Sequence, residues 1–120
     1  MLRRKVTDRL LSWKNNSNKA LLVTGARQIG KSYAIRAFGK DNYASYFEAN
    51  LLLDAEARDV LIGAKNAVDF INRVALLADA PLVEGDTLIF VDEIQEYPQI
   101  VTLMKALVED GRFSYVFSGS

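Results

Sequence analysis

A three-layer αβα fold on a parallel sheet is what this sequence predicts, and three features carry the expectation. Four runs of strand length are separated by longer segments of helical period. The first and third runs are apolar nearly throughout instead of at every second position, as strands covered on both faces are. Glycine, proline or adjacent acidic residues stand at the junctions, where strand and helix must exchange. Right-handed crossovers then bring the loops that follow the strands to one edge of the sheet, the usual place of a ligand crevice.

Each element has its own reason. The chain opens on a helix-like stretch with Val6, Leu10 and Trp13 at helical spacing, closed by the polar turn NNSNK at residues 15–19. ALLVT, residues 20–24, is the first strand, expected to be buried on both faces. From Lys31 onward, Ala34, Ile35, Ala37 and Phe38 give a helix packed on that strand, with Gly39 placed to end it. SYFEAN, residues 45–50, is a second, shorter strand. Residues 51–80 are helical in period: Asn66 can cap, Asp69 follows three later, and Val68, Ile71, Val74, Ala75 and Ala78 form one apolar stripe up to Pro81. Gly85 and Asp86 turn the chain into TLIFVDE, residues 87–93, a strand closed by two acids. Pro98 begins the next helix, with Ile100, Leu103, Met104, Leu107 and Val108 on its inner face and Gly111 as its stop. FSYVFSGS, residues 113–120, is the last strand.

At 120 residues, half of them apolar, the chain is expected to be one domain, residues 1–120, with a real core. Its 15 basic and 15 acidic side chains cancel, so nucleic acid is not indicated as a partner. Arg3, Arg4 and Lys5 are read as a solvated first turn. Cysteine and histidine are both absent, which excludes disulfides, thiolate or imidazole metal sites, and Cys or His catalysis. Any metal must be a hard ion held by oxygen, with Mg²⁺ first. No apolar run approaches the ~20 residues of a membrane span, so a cytoplasmic setting is expected.

The chemistry concentrates in Gly25, Ala26, Arg27, Gln28, Ile29, Gly30, Lys31 and Ser32, which match the phosphate-loop pattern G-x-x-x-x-G-K-[ST] between a strand and a helix. Such a loop turns its backbone N–H groups onto a polyphosphate, and glycine permits the approach. The helix start adds unpaired N–H groups and a positive dipole end, with Tyr33 inside that first turn. Lys31 would reach the β and γ phosphates and the Ser32 hydroxyl would hold Mg²⁺. Independently, LIFVDE delivers Asp92 and Glu93 to the same sheet edge. Asp92 is read as the metal-side residue and Glu93 as the base that polarises a water. Ser118 or Ser120 can sense the γ phosphate or serve only as a turn serine. Arg27 can lean toward phosphate or a neighbouring subunit, Arg112 is read as solvated, and Tyr33 and Trp13 as packing. NKAL at Asn18 lacks the aspartate of a guanine-reading N-K-x-D pattern.

The glycine loop, IFVDEIQ and the terminal FSGS together resemble the AAA-type branch of P-loop ATPases, more narrowly the bacterial and archaeal AAA-domain proteins that carry a further C-terminal domain. The resemblance runs from about Lys19 to Ser120. It implies ATP and Mg²⁺ binding, with residues 25–32 as the Walker A loop, Asp92 and Glu93 as the Walker B pair and Ser118 as a first sensor. It also implies a five-stranded core, of which four strands are placed here. The fifth strand, a helical lid with a second-sensor arginine and the C-terminal domain have no counterpart in these residues, so the expectation is the N-terminal part of a longer ATPase. Two functions compete: ATP hydrolysis, with a partner subunit's arginine completing the site in a homo-oligomer, and a nucleotide-dependent switch or scaffold with little hydrolysis. A small-molecule phosphotransferase is disfavoured by the adjacent acids closing the third strand.

Overall fold

The computed structural model describes residues 2–15, 20–23 and 31–119. Within them the order is α1 (Leu2–Asn15), β1 (Ala20–Val23), α2 (Lys31–Asn42), β2 (Ser45–Asn50), α3 (Ala55–Leu61), α4 (Ala67–Leu77), β3 (Thr87–Asp92), α5 (Pro98–Asp110) and β4 (Ser114–Ser118). The strands form one parallel sheet in the order β1-β4-β3-β2. The four described strands and the αβα layering are those the sequence predicts. Thr24, the loop Gly25 to Gly30 with Arg27, and Ser120 lie outside the described residues, as do the side chains of Arg3, Arg4, Lys5 and Val6.

Alternation along the strands separates two cores. Leu88, Phe90, Val116 and Val23 point to α1 and α2, where they meet Leu10, Trp13, Ile35 and Phe38. Phe47, Ala49, Ile89, Val91, Tyr115 and Phe117 point the other way and meet Leu61, Phe70, Ile71, Val74, Ile100 and Leu107 of α3, α4 and α5. The central β3 is buried along its whole length, and each large apolar side chain it buries contributes about 1.5–3 kcal/mol.

Local chemistry sets the helix ends. Asn66 Oδ1 accepts from the Asp69 N–H at 2.8 Å while Asp69 Oδ2 accepts from the Lys65 N–H at 2.9 Å; a cap of this kind is worth about 1 kcal/mol. Pro98 opens α5, and Gly111, at φ 74°, closes it in the left-handed region that favours glycine.

Several expectations need correction. Gly39 does not end α2: it is buried inside the helix, which runs on to Asn42. The strand β1 is not buried on both faces, because the order leaves it at an edge where Leu22 is exposed and only Val23 is buried. Residues 51–80 form two helices, with a turn through Gly63 between them. On α4 the inner face is Phe70, Ile71 and Val74; Val68 and Ala75 of the expected stripe are exposed, because the capping turn sets the helix with those residues outward. Val108 is likewise exposed, Leu103 and Met104 being partly buried beside Ile100 and Leu107.

Candidate functional site

The register brings the strand ends to one level. Asn50 pairs with Asp92, Val23 with Ser118, and Val91 with Phe117, so Asp92 and Ser118 occupy the next rung of β3 and β4. Asn50, Asp92 and Ser118 lie in phase with Glu48, Phe90 and Val116, which places them on the α2 face of the sheet. The helix α2 begins at this same edge with Lys31 and Ser32.

There Ser32 Oγ donates to Asp92 Oδ2 at 3.0 Å, joining residues 60 apart in sequence. Asp92 Oδ1 accepts from the Glu93 N–H at 2.9 Å. This second bond goes with a backbone departure: Glu93 has φ 61°, the one positive value at a non-glycine among the described residues. A left-handed glutamate costs on the order of 1–2 kcal/mol, and such strain concentrates where a side chain must be aimed. Lys31, Asp92 and Glu93 are all buried.

Lys31, Ser32, Asn50, Leu52, Leu53, Asp92 and Glu93 line a cleft of about 150 Å³. A larger recess, about 350 Å³, opens beyond β2, but Glu48, Asp54, Glu56 and Asp79 line it and would repel a polyphosphate. In the smaller cleft Lys31 and the start of α2 stand against Asp92 and Glu93, which gives it the chemistry for an anionic ligand that brings a divalent ion. In it α2 shows an inverted charge pattern: no acid in its first turn and a buried lysine at its start. A cation beside the positive end of a helix is unfavourable by about 0.3–1 kcal/mol, a cost that a bound anion reverses.

The other expected residues are placed as follows. Ser118 is fully buried, and its Oγ, like Trp13 Nε1 and the Tyr115 hydroxyl, has no hydrogen-bond partner among the described residues. Tyr33 is not packed in the core: it is exposed on α2, beside Arg36, Ala37, Lys40 and Asp41. Arg112 pairs with Asp110 at 2.9 Å and Glu84 at 3.8 Å, and Trp13 is core. Sequence reasoning missed Asn50 and Gln95. Asn50 needed only the register, since a strand ending at Asn50 beside one ending at Asp92 puts the two side by side. Gln95, whose Nε2 donates to Glu93 Oε1 at 3.3 Å, stood within the IFVDEIQ stretch but was given no role there.

For Mg²⁺, Ser32 Oγ and Asp92 Oδ2 are adjacent hard oxygen donors, a pair that fits the ion. Among the described residues no group of three or more Asp or Glu side chains forms a cage. Phosphate and water oxygens would complete the shell, the usual arrangement for this ion.

One turn beyond Ser32, Arg36 fastens α2 to β2. Its Nε and Nη2 donate to the two Glu48 oxygens at 2.8 and 2.7 Å, and the Tyr46 hydroxyl donates to Glu48 Oε1 at 2.7 Å. Burial pushes the Glu48 carboxyl up, but the bonds from Arg36 and Tyr46 and the guanidinium charge outweigh it and hold the group below the usual carboxylate range. A depressed carboxyl stabilises the fold above its unfolded-state pKa, and that contribution is lost as pH falls through the folded-state value. Arg36 is substantially exposed, so solvent limits the contribution to about 1 kcal/mol. The stability gap between the wild type and Glu48→Gln is therefore expected to shrink as denaturation midpoints are measured from pH 7 down to about pH 3; a gap independent of pH would contradict the ion-pair account.

Parallel strands, crossover helices and a helix-start lysine and serine facing strand-end acids are the arrangement of an α/β domain of the P-loop class. The family model for the AAA domain matches residues 17–120, and the chain belongs to that family. No curated protein matches the sequence. Among the described residues no helix is long and apolar enough to cross a membrane.

Proposed function

We propose that the protein binds ATP with Mg²⁺ and hydrolyses it to ADP and phosphate. The observation that carries this reading is the Ser32–Asp92 hydrogen bond, which joins the helix after the glycine loop to the strand-end acids in one cleft that Glu93 also lines. Gly25, Ala26, Arg27, Gln28, Ile29 and Gly30, with the N–H groups of Lys31, Ser32 and Tyr33, would cradle the phosphates. Lys31 balances charge on the transferred phosphoryl group. Ser32 and Asp92 would hold Mg²⁺, which supplies charge neutralisation on the phosphate oxygens when bound. Glu93 orients the attacking water and accepts its proton, and the orphan Ser118 hydroxyl offers a donor to the γ phosphate or the water. The preference for ATP over GTP rests on family membership and on the missing N-K-x-D aspartate. An arginine from a second copy would complete the site, so activity is expected to rise with protein concentration.

The second reading is a nucleotide-dependent switch that hydrolyses little. Glu93 favours hydrolysis, because a left-handed, strained acid in the cleft has no evident use in binding alone. Phosphate release by the intact protein and by Glu93→Gln separates the two. Loss of the base is expected to slow release about 100-fold while ATP affinity is kept. Equal rates would remove the enzyme and leave the switch.

A further inference from the structure

Gln95 is part of neither the glycine loop nor the acidic pair, yet it touches both strand ends that meet at the cleft. Its Nε2 donates to Glu93 Oε1 at 3.3 Å. On the other side it lies against Gly119, the residue after Ser118: a β-carbon there would come within 3.0 Å of Gln95 Oε1 and 3.6 Å of Gln95 Cβ. The backbone on both sides is tied down. The Ile94 N–H donates to the Ser118 carbonyl at 3.0 Å, the Tyr97 N–H to the Ile94 carbonyl at 2.9 Å, and the Gly119 N–H to the Val23 carbonyl at 3.1 Å. Glu93 and Gly119 are buried, whereas Gln95 is exposed, so its carboxamide sits at the solvent mouth between them.

The chemistry of the contact suits a base. The bond to Asp92 fixes the Glu93 backbone, and a donor on Oε1 narrows the range of carboxylate poses. A neutral amide does so without placing a second charge beside the carboxylate. Glycine at 119 provides the room, because any side chain there meets the carboxamide.

The geometry points to Gln95 as a positioning residue: its carboxamide, seated against the bare α-carbon of Gly119, orients the Glu93 carboxylate for the attacking water. This role rests on the ATPase reading, and its tests separate the two. Gln95→Met keeps the length and apolar contact and removes the donor. It is expected to lower kcat about fivefold, the worth of one hydrogen bond, with KM for ATP and the affinity for a fluorescent ATP analogue unchanged. Gly119→Val, which fills the seat, is expected to lower kcat similarly. Gln95→Ala/Gly119→Val should be no slower than Gln95→Ala, because two changes acting on one contact do not add. Without nucleotide, ¹⁵N relaxation of the Gln95 side-chain amide should show restricted motion in the wild type. In Glu93→Ala it should show the mobility of the exposed Gln99. A wild type that turns over no ATP overturns the ATPase reading and this role with it. Unchanged kcat in Gln95→Met, or a wild-type Gln95 amide as mobile as that of Gln99, overturns this role alone.

Discussion

Lys31→Ala is expected to weaken ATP binding at least 100-fold and to bring phosphate release to background. The ammonium group is buried at the start of α2, in the cleft that Ser32, Asp92 and Glu93 share. Asp92 and Glu93 repel a polyphosphate by themselves, so the lysine, with the positive end of α2 and a bound divalent ion, must offset them before the ligand can enter. A charge-assisted hydrogen bond to phosphate is worth about 1.5–3 kcal/mol, and losing the screening of two carboxylates adds to this. Together they exceed the 2.8 kcal/mol or so that corresponds to 100-fold in affinity. The fold should survive, because removing a cation from the positive end of a helix relieves about 0.3–1 kcal/mol. Titration with a fluorescent ATP analogue, alongside a thermal melt, checks both. A folded variant that binds as the wild type does would show that Lys31 contacts no phosphate.

What the sequence made legible follows from which interactions are local. SYFEAN appears as β2 over the residues expected, TLIFVD as β3, and Asn66, Pro98 and Gly111 mark helix ends as their side chains and backbone freedom require. Lys31, Ser32, Asp92 and Glu93 line one cleft as the motif spacing implied. The order of the strands was not legible. An apolar run says that a strand is covered, but ALLVT reads much like TLIFVD, although the first lies at an edge with Leu22 exposed and the second is central. The places of Asn50 beside Asp92 and of Gln95 beside Gly119 likewise depend on which strand lies beside which. Gly39 misled for a related reason: nearby residues make a glycine read as a helix stop, while its actual constraint comes from a tyrosine on the next strand.

That constraint has a measurable consequence, since Gly39→Ala is expected to destabilise the protein even though alanine is the better helix former. In the interior of α2 the exchange should gain about 1 kcal/mol of helix propensity. A β-carbon at Gly39, however, would lie 2.3 and 2.6 Å from Cδ1 and Cε1 of Tyr46 and 3.0 Å from Leu88 Cδ2. The Tyr46 ring cannot simply swing away. Its hydroxyl is hydrogen-bonded to Glu48, which Arg36 grips from the same helix, and burial with that bond holds the phenol well above its usual pKa and so protonated as a donor. Overpacking costs about 1–3 kcal/mol, and straining a bond to a carboxylate about 1.5 kcal/mol more. The net loss is then about 2 kcal/mol, a fall in Tm of roughly 8 °C. The sign should reverse in a Tyr46→Ala background, where the ring is gone, only the flexible tip of Leu88 remains and the propensity gain is left over. A Gly39→Ala protein that melts higher than the wild type with Tyr46 in place would refute the close-packing account. The same displacement would tilt the end of α2 that carries Lys31 and Ser32, so ATP affinity should fall with stability in the single variant and recover with it in the double.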